Sequence, residues 1–189
     1  MPDAPQVTIE FEATVRSIEP RIWRRFRLPG NLRVSDLHSA LQLLFGWDDS
    51  HLHEFRGAKG RVVYAPPSPD DLPIRPVIDS ARTPLSAVFK KKGDALLYNY
   101  DFGDNWEVDV RAAAVVEGYH PPRCLAGERN GPPEDCGGVH GYADLLEDLA
   151  DTPPEDREDT LECGADYDPE HFDLPSTNEA LQKMFRSSV

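Results

Sequence analysis

From Val7 to Val15 the chain alternates without a break, with Val7, Ile9, Phe11, Ala13 and Val15 interleaved with Thr8, Glu10, Glu12 and Thr14. A strand turns successive side chains to opposite faces, so this period of two specifies a strand buried on one side only. Such a strand is not stable alone. Its amides and carbonyls need a paired neighbour, and its apolar face needs a second layer. The predicted partner is Arg21 to Leu28, set off by the turn signal Glu19-Pro20. The same device recurs at Ala95 to Phe102 and Trp106 to Val116, which read as a hairpin around Gly103-Asp104-Asn105. His51 to Phe55 and Arg61 to Tyr64 read as two shorter strands around Gly57 and Gly60.

The covering layer is helical. Ser35 is placed to cap a helix whose Leu37, Leu41, Leu44 and Phe45 fall at helical spacing before Gly46. Thr83-Pro84 opens a short helix with Lys90 to Lys92 near its end, and Pro66 to Pro76 is a surface loop. After a long loop, Tyr142, Leu145, Leu146 and Leu149 outline an acidic amphipathic helix, and Thr152-Pro153 opens another. Ser176 with Glu179 forms a capping box for a last helix containing Leu181, Met184 and Phe185. The expected fold class is α+β: a largely antiparallel sheet from the N-terminal and central hairpins, packing helices, and an acidic helical C-terminal third. At 189 residues the chain is expected to form one domain spanning 1–189.

Charge divides the chain more sharply than composition does. The formal charge is −14, and the segment from Gly131 to Asp173 holds 15 acidic residues and one basic residue, Arg157. Everything outside that segment balances to zero. The longest apolar run, Ala112 to Val116, is far short of the ~20 residues that cross a bilayer, so no membrane partner is expected. The N-terminus lacks the basic and apolar regions of a secretory signal, and three cysteines cannot all pair within one chain. A reducing cytoplasm is the expected compartment.

Four segments concentrate Trp, Asp, Gly and His: Phe45-Gly46-Trp47-Asp48-Asp49-Ser50-His51-Leu52-His53-Glu54-Phe55, Tyr98 to Trp106, Gly131-Pro132-Pro133-Glu134-Asp135-Cys136-Gly137-Gly138 with Gly141-Tyr142, and Tyr167 to Asp173. With Ile22-Trp23-Arg24-Arg25 and Leu37-His38 to Leu41-Gln42, their order and spacing resemble the plasmid Ri open-reading-frame-three-like family, from about Ile9 to Leu181. Members of that family occur on plasmids and insertion elements, and some carry a name implying a transposon resolvase. The resemblance implies one α+β domain of unknown biochemical activity. It also implies a histidine two residues after Trp106 and a cysteine just before Pro132-Pro133, where this chain has Val108 and Gly131.

The residues themselves offer three chemistries. His51 and His53, two apart on a predicted strand, share one face, and Asp48, Asp49, Asp101 and Asp104 supply oxygen ligands if their loops meet. That set describes a divalent metal site, or alternatively packed histidines beside aspartates that cap turns. Cys124, Cys136 and His140 lack the close ligand pair of a zinc site, so Cys136, Gly137 and Gly138 read as a structural turn. Arg21, Arg24, Arg25 and Arg27 interleave with Trp23 and Phe26, a pattern that binds phosphates and stacks bases, or pairs with acidic groups of this chain or of a protein partner. Trp47 and Trp106 are expected as core or pocket walls. The acidic segment reads as a solvated helical face, with a calcium or magnesium site or a mimic of nucleic-acid charge as alternatives. No complete catalytic constellation is present. The leading expectation is a binding or interaction module with a protein partner. A metal-dependent phosphoester hydrolase using His51, His53, Asp101 and Asp104 is the alternative, and nucleic-acid binding through the arginine strand is a second.

Overall fold

The computed structural model describes residues 6–57, 60, 62–67, 77–157 and 166–186. Its strands are β1 (Val7–Val15), β2 (Trp23–Pro29), β3 (His53–Arg56), β4 (Val63–Ala65), β5 (Val77–Asp79), β6 (Ala95–Tyr100), β7 (Trp106–Glu117) and β8 (Arg123–Glu128). They form one eight-stranded sheet in the order β5-β4-β3-β6-β7-β1-β2-β8, antiparallel except for β4 with β5. Among the described residues four helices accompany it: α1 (Val34–Phe45), α2 (Leu85–Val88), α3 (Gly138–Asp151) and α4 (Leu174–Met184). The fold is α+β with a mostly antiparallel sheet, as the alternation requires.

The alternating residues of β1 do what their period dictates. Ile9, Phe11 and Ala13 are fully buried, Phe11 stacks on Phe26 across the β1–β2 pair, and Phe89 meets the same ring edge-on. On the other face, Glu10 and Glu12 stand opposite Arg27 and Arg25, and Arg25 pairs with Glu10 at 2.9 Å. The apolar face of α1, carried by Leu37, Leu41, Leu44 and Phe45, joins the same core.

Several boundaries differ from the sequence expectation, each for a local reason. Helix α1 starts at Val34, so Arg33 occupies the cap position and its backbone N–H donates to Asp36 Oδ2 at 2.6 Å; Ser35 lies inside the helix. Helix α4 is capped by Asp173, whose carboxylate accepts from the Ser176 amide at 3.1 Å and from its hydroxyl at 2.6 Å. The long loop expected before α3 contains β8, an edge strand held by β2 and by the Asn178 side chain, which bonds both the N–H and the carbonyl of Cys124. At Thr152-Pro153 a 3-10 turn (Pro154–Asp156) forms, and 158–165, like most of the Pro66 to Pro76 loop, lies outside the described residues. Arg157 donates to the carbonyls of Leu149 and Thr152, placing the one cation of the acidic segment at the negative end of the α3 dipole.

Two contacts fix the acidic loop before α3 to the end of α1. Trp47 Nε1 donates to the Pro132 carbonyl at 3.0 Å, and Gly131 packs so closely that a Cβ there would fall on the Phe45 carbonyl oxygen. Gly131→Ala is expected to cost about 1–3 kcal/mol through overpacking, read as a lower urea midpoint with an unchanged slope. Wild-type stability in that variant would show that the loop does not depend on this approach.

Candidate functional site

Helix α1, the loop from Trp47 to Leu52, the end of β6 and the Pro132 loop converge at one end of the sheet. Trp47 is buried and stacks on Tyr100, ring centroids 5.0 Å apart. The Tyr100 hydroxyl donates to Glu134 Oε1 at 2.9 Å, and the backbone N–H of Asp48 donates to the same oxygen at 2.9 Å. This anchors Glu134 and its neighbour Asp135 over His51. At β3 the ladder pairs His53 with Tyr100 and continues one step, with Asp101 N–H on Leu52 O at 3.0 Å.

The strand begins at His53, which leaves His51 in the preceding loop, and the two rings enter different groups. One group joins His51 to Asp101 and Asp135, each offering a ligand atom within 4.8 Å of the others. His51 Nδ1 lies 3.7 Å from Asp101 Oδ1, while Nε2 lies 3.2 Å from Asp135 Oδ1 and 3.9 Å from Glu134 Oε2. Both His51 Nε2 and Glu134 Oε2 are buried, and among the described residues neither has a hydrogen-bond partner. Asp101 is itself buried and accepts from Gly103 N–H at 2.9 Å. Among the described residues no Lys or Arg forms an ion pair with Asp101, Glu134 or Asp135. Burial pushes the Glu134 carboxyl above its ordinary value.

The second group joins His38, Asp49 and His53 within the same 4.8 Å limit. His38, on α1, is almost fully buried; its Nδ1 lies 2.8 Å from the Tyr98 hydroxyl and its Nε2 lies 2.8 Å from Asp49 Oδ1. Gln42 closes the circuit, donating to the Tyr98 oxygen at 2.9 Å and accepting from Asp49 N–H at 2.8 Å. His53 stacks on His38 with centroids 3.5 Å apart and planes 7° from parallel. Burial lowers both imidazoles, His53 to about 4. Asp49, Asp101 and Asp135 all take left-handed backbone conformations, with φ of 61°, 52° and 54°. Aspartate tolerates that region better than most residues, and such conformations concentrate at functional sites.

Asp104 is in neither group. Its carboxylate accepts from Gly137 N–H at 3.1 Å, and Gly138 sits so close to the Asp104 carbonyl that a side chain there would collide. Gly137 and Gly138 are consecutive left-handed residues, so the Cys136-Gly137-Gly138 segment is a tight turn leading into α3. Trp106 is fully buried and lies edge-on to Tyr142 of α3.

The arginines of β2 are held within the chain. Arg24 is 2% exposed, donates to the carbonyls of Leu44, Trp23 and Glu128, and lies between the rings of Phe45 and Phe172. Burial draws its pKa down to about 10, which leaves it charged at neutrality. Arg25 pairs with Glu10, Arg27 donates to the Pro121 carbonyl, and Arg21 is exposed just before the strand. Their carboxylate neighbours are on β1, not in the acidic segment.

His38, Glu134 and Asp135 are candidate site residues that the spacing argument missed. The available signal was the pair His38 and Gln42, one turn apart on the otherwise apolar face of α1.

Over residues 7–176 the chain matches the family model described as plasmid pRiA4b ORF-3-like protein. It is 36% identical over 183 residues to the uncharacterized protein y4hQ of Sinorhizobium fredii (strain NBRC 101917 / NGR234), covering 93% of this chain and 91% of that one. It is also similar to a crystal structure of a protein of unknown function, MM3350 from Methanosarcina mazei Go1, with a TM-score of 0.77 and 37% identity over 92% of this chain and 98% of that one.

The lowered imidazoles make a prediction for the metal-free chain. An unfolded histidine titrates near 6.5, so between that value and about 4 unfolding takes up a proton that folded His53 refuses. The neutral stack therefore contributes stability that is intact above 6.5 and is lost as pH falls toward 4. In His53→Gln the decline of the urea midpoint over that window is expected to be shallower than in wild type; parallel declines would contradict the buried neutral assignment.

Proposed function

Because the chain belongs to the plasmid pRiA4b ORF-3-like family, whose matched relatives are described as uncharacterised or of unknown function, we propose its role from its own chemistry: a binding module whose ligand is a divalent cation held by His51, Asp101 and Asp135, with Glu134 alongside. The observation that carries this reading is the pair of buried atoms His51 Nε2 and Glu134 Oε2, 3.9 Å apart within a set of three carboxylates and with no hydrogen-bond partner among the described residues. Unmade buried hydrogen bonds are costly, and carboxylates this close repel one another. A cation answers both costs at once. One imidazole nitrogen with carboxylate oxygens suits zinc or manganese better than a soft ion, and magnesium less well because of the imidazole.

Three protein ligands leave coordination positions open. A water held there would be acidified by the ion, which is the phosphoester-hydrolase form of the same reading. Turnover of p-nitrophenyl phosphate by the loaded protein separates the two. The engagement of Arg24, Arg25 and Arg27 inside the chain favours a partner other than nucleic acid. One sheet and one contiguous core support a single domain.

After dialysis against a chelator, zinc or manganese at a hundredfold excess over its dissociation constant is expected to stabilise the chain by about 2.7 kcal/mol, roughly 5–10 °C in melting temperature. His51→Ala should abolish the shift attributable to this site. Asp135→Asn should raise the melting temperature of the metal-free chain, by relieving repulsion, while weakening the response to metal. Absence of any shift with zinc, manganese or magnesium would end the cation reading.

A further inference from the structure

We propose that His38, Asp49 and His53 form a second cation site, separate from the His51 site and of zinc class. The supporting observation is independent of the first: His53 Nε2 is buried and has no hydrogen-bond partner among the described residues, although it lies beside a carboxylate and a second imidazole. Two imidazole nitrogens and one carboxylate oxygen are the three-ligand set of open zinc sites, with the fourth position left to water.

The surrounding hydrogen bonds already form the outer shell that such a site needs. Gln42 donates to the Tyr98 oxygen, so the Tyr98 proton points to His38 Nδ1, and the His38 proton sits on Nε2 facing Asp49. In this state the circuit is closed and only His53 is left over. Cation entry needs three adjustments, all of them local. The His38 proton moves from Nε2 to Nδ1, so the ring stays neutral and its Nε2 lone pair is released to the ion; the Tyr98 hydroxyl turns its own hydrogen away from His38 and accepts the Nδ1 proton in its place. His53 turns about its Cβ–Cγ bond, because parallel rings 3.5 Å apart present their lone pairs side by side instead of converging. Asp49 needs little movement. Its side chain is 61% exposed, its backbone N–H is fixed by Gln42, and its Oδ1 already faces His38 Nε2. Stacked neutral rings and a loaded site are thus two states of the same residues.

Zinc titration of the full-length, metal-free chain by calorimetry tests the proposal, with His53→Ala and His51→Ala run in parallel. Two zinc ions per wild-type chain are expected, with one lost in each variant and the other retained. Tyr98→Phe should weaken the second ion about 10- to 100-fold by removing the outer-shell partner of His38. Imidazole nitrogen NMR of the wild-type chain reads the same event without mutation: zinc should convert His38 from the Nε2–H to the Nδ1–H tautomer and shift His53 Nε2. A single zinc lost in His51→Ala but kept in His53→Ala, with His38 and His53 unshifted, overturns the second site and leaves the first standing. A single zinc lost only in His53→Ala does the reverse. No zinc binding overturns both.

Discussion

The site end of the molecule depends on the docking of the Pro132 loop against the end of α1. Trp47 reaches the Pro132 carbonyl, and Gly131 lies against the Phe45 carbonyl where no side chain fits. With the loop held there, Glu134 meets the Tyr100 hydroxyl and the Asp48 amide, and Asp135 meets His51. Without that docking, the acidic segment contributes no carboxylate to His51. The core on the sheet's inner face supplies the rigid support: Tyr100 lies beside Trp47, and Trp106 backs onto Tyr142.

The chain's excess of negative charge takes on a different meaning in this frame. Its acidic segment does not neutralise the arginines of β2, which are satisfied by Glu10 and by backbone carbonyls. Part of the segment is a solvated face on α3, where Asp144, Glu147, Asp148 and Asp151 are exposed. Another part, Glu134 and Asp135, stands beside His51, with Glu134 partly buried and Asp135 exposed. Solvated carboxylates need no partner, whereas a buried oxygen such as Glu134 Oε2 does. That contrast separates the chemically meaningful carboxylates from the merely abundant ones.

Strand β1 and helix α3 were legible because their periods are unambiguous: two for Val7–Val15, and helical for Tyr142, Leu145 and Leu149. Strand β8 was not, because Arg-Cys-Leu-Ala-Gly-Glu carries little strand propensity and is held by tertiary partners, β2 and Asn178. The caps lie two and three residues before the expected positions, at Arg33 in place of Ser35 and at Asp173 in place of Ser176. In the site, the residue types were visible and their grouping was not. Strand β3 begins at His53, two residues later than the spacing predicts, which leaves His51 in the preceding loop beside Asp101 and Asp135 while His53 meets His38 and Asp49. Asp104 illustrates the same limit: adjacent in sequence to a site residue's turn, it is consumed by Gly137 N–H. His38 and Gln42 were the readable exception, two polar residues on a helix face that burial should have made apolar.

The central claim is that the carboxylates around His51 are arranged for a cation. Diffraction from crystals grown with zinc or manganese, recorded on both sides of the metal absorption edge, addresses it directly. An anomalous peak about 2.0–2.2 Å from a ring nitrogen of His51 and from oxygens of Asp101 and Asp135 is the predicted result. An ordered water or empty density at that position, with no anomalous signal, would contradict it.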